Sequence, residues 1–212
     1  MPTLLHLTVS PRGDHSISRQ LGSAAVGEWE KDNPGGRVIE RDLARTSLSF
    51  IDSEWIAGAF APSDTHTEDH RRAIAISDEL ISELQQADET ILDTPMYNFA
   101  IPAVLKAWID HVVRAGKTFR YTSAGRPEGL LASKNIKVLA IIASGGKYTG
   151  DPGLAALDYE APYLRFILGF MGITDVRFVQ AGGTAAVMQG RVSAREFLAP
   201  YLTEIATPAS VQ

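Results

Sequence analysis

Apolar and polar positions along the chain fall into two alternating kinds of segment. Short runs with few polar residues occupy 3–9 (TLLHLTV), 37–43 (RVIERDL), 89–93 (ETILD), 136–143 (IKVLAIIA) and 174–180 (TDVRFVQ). Length and β-branched content suit strands. The run 136–143 is the most apolar and reads as central, covered on both faces, whereas 37–43 is polar enough for a sheet edge. Between the runs, apolar residues recur at three- and four-residue steps, the spacing of one helical face. Leu21, Ala25, Val26 and Trp29 predict a helix over about 18–31. Ile74, Ile76, Leu80, Ile81 and Leu84 predict another from the Glu68-Asp69 start to about Gln86. The strongest pattern is Ile101, Val104, Leu105, Trp108, Ile109, Val112 and Val113, a helix over 101–115 with Pro102 in its first turn and Gly116 at its end. Two more helices are predicted, over 157–171, closed by Gly172, and over 193–206, which Pro200 must start or kink.

Asn33-Pro34-Gly35-Gly36 breaks the chain cleanly. A short helix is predicted around 53–59. The stretch 117–131 is too long for a simple helix-to-strand loop and reads as a surface excursion. Strand and helix therefore alternate five times, which implies an α/β domain over 1–212: a five-stranded parallel sheet, order 2-1-3-4-5, with helices on both faces.

Composition narrows the class. The 212 residues are 45% apolar and 21% charged, ordinary for a globular domain of one core. Net charge is −5 with no basic block, which argues against nucleic acid as a partner. The chain has no cysteine, so disulfides, iron–sulfur ligation and thiol chemistry are excluded. No run of eighteen apolar residues and no basic-then-apolar leader is visible, so the reading is a cytoplasmic protein without a membrane partner.

In the order 2-1-3-4-5 the first, third and fourth strands are neighbours, and the loops at their carboxyl ends meet at one crevice. The first loop, Ser10 to Ser18, carries Ser10, Ser16 and Ser18 with Gly13 at its turn. One serine is explained by helix capping alone; three around a strand-to-helix turn suggest an anion cradle, although taken by itself the loop is better read as capping. A helix end contributes only ~0.3–1 kcal/mol, so several hydrogen bonds must supply the rest. Neither GxGxxG nor GxxxxGK[ST] is present, against a dinucleotide fold or an NTPase. The second loop is Met96-Tyr97-Asn98-Phe99, two aromatics bracketing an amide, either core aromatics or a platform for a flat, polar-edged molecule. The third is Ser144-Gly145-Gly146-Lys147, a turn or a backbone-lined edge. A phosphate end, an aromatic wall and a wall of backbone donors together fit a mononucleotide with a flat ring system, FMN.

The same residues carry a resemblance. PMYNFAIPAVLKAWIDHVVRAGKTFRYT (95–122), PEGL (127–130), ASGGK (143–147) and YLRFILGFMGITDVRFV (163–179) closely resemble the FMN-dependent NADH-azoreductases and NADH:quinone oxidoreductases, which are flavodoxin-like. Carried over position by position, the resemblance implies that Ser10, Ser16, Ile17 and Ser18 hold the FMN phosphate. It implies that Met96, Tyr97, Asn98 and Phe99 line the isoalloxazine, and Ser144, Gly145, Gly146 and Lys147 its other edge. The family's third loop often reads S-R-G-G, whereas Ser144 here leads straight into Gly145. The resemblance further implies a homodimer with FMN near the interface. Its reaction is ping-pong, with NADH as the donor and two electrons passing through FMN to quinones or to the N=N bond of azo compounds. The cofactor carries that chemistry, which accords with the lack of any triad or carboxylate pair.

Two other readings compete. A phosphoryl-accepting receiver domain shares this strand order and would use Asp93, but it needs an acidic pair after the first strand, where Ser10 stands. A flavodoxin-like electron carrier, or a general NAD(P)H-dependent FMN reductase, is the second; for a carrier, the excursion at 117–131 has no role. His6 and His111 lie inside predicted elements and read as structural, His15 stands beside the first loop, and no histidine pair has metal-ligand spacing.

Overall fold

The computed structural model describes residues 1–207. Five parallel strands form one sheet: β1 (Thr3–Thr8), β2 (Arg37–Asp42), β3 (Glu89–Pro95), β6 (Lys137–Ser144) and β7 (Asp175–Gly182), in the order β2-β1-β3-β6-β7. Counted within this sheet alone, that is 2-1-3-4-5. The numbering gap is filled by a separate antiparallel hairpin, β4 (Phe119–Tyr121) with β5 (Pro127–Gly129), which is what the excursion at 117–131 forms. Gly129 is required there, because a Cβ on it would lie 2.2 Å from the backbone nitrogen of Gly172. The hairpin therefore packs closely on the backbone at Met171 and Gly172.

Helices cover both faces. On one, α1 (Ile17–Asp32) and α8 (Ala194–Ala206) pack over Leu4, Ile91, Ile141 and Val179. On the other, α3 (Glu68–Gln86), α4 (Ala103–Val112) and α6 (Glu160–Phe170) enclose Leu5, Leu7, Leu92, Val138 and Ile142. Alternate residues of each central strand thus enter opposite cores, which is why these strands read as unbroken apolar runs. The short α2 (Ser53–Phe60) packs on α3, with Gly58 set against the His70 carbonyl. Arg114, just after α4, is buried and binds Ser77 (2.8 Å to Oγ) and Asp78, which fastens α4 to α3.

Several boundaries differ from those predicted. β3 continues through Pro95, which pairs in register with Ala143 at a place where the sheet needs no proline N–H. α4 spans Ala103–Val112 rather than 101–115: Pro102 stands at its N-cap, and Gly116 (φ 76°) belongs to a turn closed on Phe119. The helix expected over 157–171 is α6, which starts only at Glu160, because Asp158 turns its side chain onto the N–H groups of Glu160 and Ala161; a separate short helix, α5 (Pro152–Ala155), precedes it. Pro200 lies inside α8, whose start is set by a Ser193–Glu196 capping box.

Candidate functional site

The carboxyl ends of β1, β3 and β6 border a cleft of about 540 Å³, at the position where the strand order reverses direction. A second, more open cleft of about 370 Å³, walled by Trp55, Phe60, Val113 and Phe119, lies beside the last turn of α4, away from those strand ends. The first has two unlike ends.

One end is built by the β1–α1 connection and bordered by Ser10, Arg12, His15, Ser16, Ile17 and Gln20. Gly13 at φ 54° turns the chain into a single 3₁₀ turn, and Ser16 then caps α1 by accepting the Arg19 N–H at 3.4 Å. Ile17 and Ser18, first in the helix, have N–H groups without intrahelical partners. Arg19 braces the loop, donating to the Ser10 carbonyl at 2.6 Å and to Asp42 at 2.6 Å, so its charge is committed to Asp42. Desolvation opposes that pairing, yet the bond to Arg19 still holds the Asp42 carboxyl below its ordinary range.

Ser18 departs from the expectation. Its side chain is fully buried and donates to Asp93 Oδ1 at 3.3 Å, with Ser16 Oγ 3.1 Å away. It faces the interior, and Ser18 is not among the residues that border the cleft. Asp93 is likewise buried, with its other oxygen 3.0 Å from His6 Nε2, while His6 Nδ1 lies 2.7 Å from Glu40. Burial alone would lower the His6 pKa, but the bonds to Asp93 and Glu40 outweigh it and push it up to about 9. Burial raises the Asp93 carboxyl above its usual range. α1 sits so close that a Cβ on Gly22 would lie 2.6 Å from Asp93 Oδ2. A carboxylate enclosed in this way is unsuited to accept a phosphoryl group, which removes the receiver reading.

The other end is bordered by Pro95, Met96, Tyr97, Ala143 and Gly145. The Met96 N–H donates to the Ala143 carbonyl at 2.8 Å and ties the second loop to the third. Tyr97 and Ala100 exchange two backbone hydrogen bonds, 3.0 and 3.1 Å, across a two-residue turn with Asn98 at φ 50° and Phe99 at φ 69°. That is the left-handed I′ geometry, which asparagine tolerates and phenylalanine adopts only under constraint. The constraint is visible: the Phe99 carbonyl accepts the Tyr159 N–H at 3.0 Å, and its ring meets Tyr148 edge to face at 5.9 Å. Asn98 is therefore explained by backbone conformation. Asn98 and Phe99 shape the turn but do not border the cleft.

In the third loop only Gly145 reaches the cleft. Ser144 is buried and donates to the Gly146 carbonyl at 2.9 Å, and Lys147 points to solvent outside the cleft. The loop is held from behind by the segment after β7: Gly183 N–H donates to Ser144 and Gly146 carbonyls at 2.9 and 3.0 Å, and Thr184 N–H to Ser144 at 3.0 Å. That segment, with the short α7 (Ala185–Met188), supplies the wall of Thr184, Val187 and Met188, and Ala194 at the start of α8 completes it. These four residues were not singled out from sequence; the glycine pair Gly182-Gly183 at a strand end was the available signal.

Below the second loop, Glu160 is fully buried in the first turn of α6. Burial pushes its carboxyl up to about 9 against the opposing bond from Thr94, and the nearby Asp158 charge adds to the rise. Among the described residues no group of three or more His, Asp, Glu or Cys side chains is placed to hold a metal.

Known proteins resemble the whole chain. A family model described as flavodoxin-like fold matches residues 2–203. An FMN-dependent NADH:quinone oxidoreductase from Burkholderia lata is 41% identical over 210 residues, covering 99% of this chain and 97% of the relative. One from Trichormus variabilis is 48% identical over 182 residues, covering 86% and 84%. Among solved structures, an azoreductase from Bacillus anthracis superposes with a TM-score of 0.85 at 30% identity, covering 97% of both chains. An FMN-dependent NADH-azoreductase from the same species, in complex with FMN, gives 0.85 at 25% identity over 97% and 96%. The chain belongs to the flavodoxin-like family of FMN-dependent NADH:quinone oxidoreductases and azoreductases.

Proposed function

We propose that this cleft holds FMN and that the chain, read as a single FMN-binding domain over 1–212, is an FMN-dependent NADH:quinone oxidoreductase with azoreductase activity. The observation that carries the reading is the cleft's polarity: an open helix start with serines at one end, and an apolar platform with backbone edges at the other. The residues fit the group. Ser10, Ser16 and the N–H groups of Ile17 and Ser18 suit a phosphate by charge-assisted hydrogen bonds at the positive end of α1. Met96 and Tyr97 suit the face of a flat ring system, and Asn98 and Phe99 act on it by fixing the turn. Gly145 lets the backbone come close to the ring edge, Gly146 and Ser144 brace it from behind, and Lys147 stands nearest solvent.

FMN supplies the two-electron chemistry, taking electrons from NADH and passing them to a quinone or an azo compound. The chain's part is to orient, to exclude water with Met96, Val187 and Met188, and to present backbone donors. No side chain of the cleft has to act as an acid or base. Tyr97, Phe99, Tyr159 and Met188 expose large apolar surface around the cleft mouth, which supports a homodimer with FMN near the interface. A stable, active monomer on size exclusion would contradict that part.

Steady-state kinetics test the enzyme reading. Parallel double-reciprocal lines for NADH against a quinone are expected of a ping-pong reaction. A protein that binds FMN but shows no turnover with NADH would instead be a flavodoxin-like carrier.

A further inference from the structure

The phosphate end of the cleft carries a positive charge that no other side chain engages. In a chain of net charge −5, none of the described residues that border the cleft is an aspartate or a glutamate. The two basic side chains at its border, Arg12 and His15, both stand at this end. Other charges around the loop are paired behind it: Arg19 binds Asp42 at 2.6 Å, and Asp93 lies 3.0 Å from His6. Asp14, in the same 3₁₀ turn as His15, lies outside the cleft. Arg12 differs from Arg19. Its backbone is fixed, the N–H donating to Ser10 Oγ at 3.3 Å and the carbonyl accepting the His15 N–H at 3.2 Å. Its guanidinium has no carboxylate or hydrogen-bond partner among the described residues. Ser10 accepts in that contact, so its own proton is left for the cleft.

A flavin phosphate near neutral pH carries close to two negative charges. Ser10, Ser16 and the first N–H groups of α1 are neutral donors, and a helix start amounts to only about half an elementary charge. They orient the phosphate but leave most of its charge uncompensated. A guanidinium answers that need, because its planar fork meets phosphate oxygens through two parallel charge-assisted bonds and stays charged at any working pH. We propose that Arg12 is the side-chain cation of this site, clamping the terminal phosphate and so selecting FMN over the same ring system without a phosphate. This rests on the cleft being the FMN site.

The test is fluorescence titration of the apoprotein with FMN and with riboflavin, which has the same rings and no phosphate, at low and high salt. At about pH 8 the phosphate keeps both charges, its second pKa being about 6. Arg12→Gln is expected to weaken FMN by about tenfold and to leave riboflavin unchanged. The variant should also lose part of the salt dependence of FMN binding. Arg12→Lys, which keeps the charge without the fork, should fall between the two. Arg12 is exposed and tied through its backbone, so both variants keep the fold, and riboflavin binding reports on it. An unchanged ratio of the two dissociation constants in Arg12→Gln, whether both flavins weaken alike or neither does, would overturn the proposal and leave Arg12 a solvated surface charge. Where riboflavin binds too weakly to titrate, the salt dependence of FMN binding decides alone, and an unchanged dependence in Arg12→Gln overturns the proposal. Binding of neither flavin to the unaltered protein would overturn the FMN reading itself, and this inference with it.

Discussion

Thr94 Oγ1 donates to Glu160 Oε1 at 3.0 Å across the buried space between β3 and α6, directly beneath the loop that forms the ring end of the cleft. The carboxyl's second oxygen is buried with no partner among the described residues, and burial pushes the group's pKa up to about 9. An unfolded glutamate releases its proton near the ordinary value of 4.5, whereas the folded one keeps it. Between those values the native state alone binds the proton, so stability should fall with rising pH. The fall is at most about 1.4 kcal/mol per pH unit from this group and levels off above its folded pKa. Glu160→Gln keeps the shape without the proton, and its stability should vary less with pH from 5 to 9 in denaturant titrations. An unchanged slope would mean Glu160 is ionised in the folded protein.

Ser16 both caps α1 and borders the cleft, and one substitution separates the two roles. Ser16→Asp keeps a good cap and a favourable charge at the helix start, so the melting temperature should hold. A negative charge at the phosphate position should weaken FMN by roughly tenfold or more. Unchanged FMN affinity would leave Ser16 as a cap only.

The turn after Met96 offers a similar separation. Asn98→Gly preserves the φ of 50° without strain, while Asn98→Ala should lose ~1–2 kcal/mol of stability. If the amide also bonds the flavin, Asn98→Gly will weaken FMN and riboflavin equally at unchanged stability. Unaltered flavin binding in that variant would confine Asn98 to its backbone role.

Close packing of α1 on Asp93 predicts a cost for any added atom at position 22. Gly22→Ala would place a Cβ 2.6 Å from Asp93 Oδ2 and should destabilise by about 1–3 kcal/mol in chemical denaturation. A neutral outcome would mean that the Asp93 side chain moves freely.

The periodicities around Leu21, Ile74 and Trp108 placed the major helices, and the unbroken run 136–143 identified the central strand, because each pattern reports the burial that makes it. Boundaries were less legible. Whether Pro95 ends β3 depends on which side of it pairs, and where the helix within 157–171 starts depends on Asp158 folding back onto its own chain. Within the site, Ser16, Met96, Tyr97 and Gly145 were visible as loop residues at strand ends. Ser18 was assigned to the cleft because spacing says nothing of which way a first-turn side chain points. The backbone role of Asn98 is not legible either, because a left-handed φ leaves no mark on composition. The Thr184–Met188 wall went unseen because it comes from the edge strand, outside the three loops that the strand order brings together. The His6–Asp93 contact joins residues 87 positions apart on adjacent strands, which only register can reveal.

The central claim, that the cleft holds FMN reducible by NADH, is tested most directly by the visible spectrum of the purified protein, reconstituted with FMN where needed. The spectrum is recorded anaerobically before and after NADH. The account predicts a yellow protein whose bound-flavin absorbance bleaches rapidly on addition of NADH and returns when a quinone is added. A protein that stays colourless after reconstitution, or whose flavin band is unaffected by NADH, would contradict it.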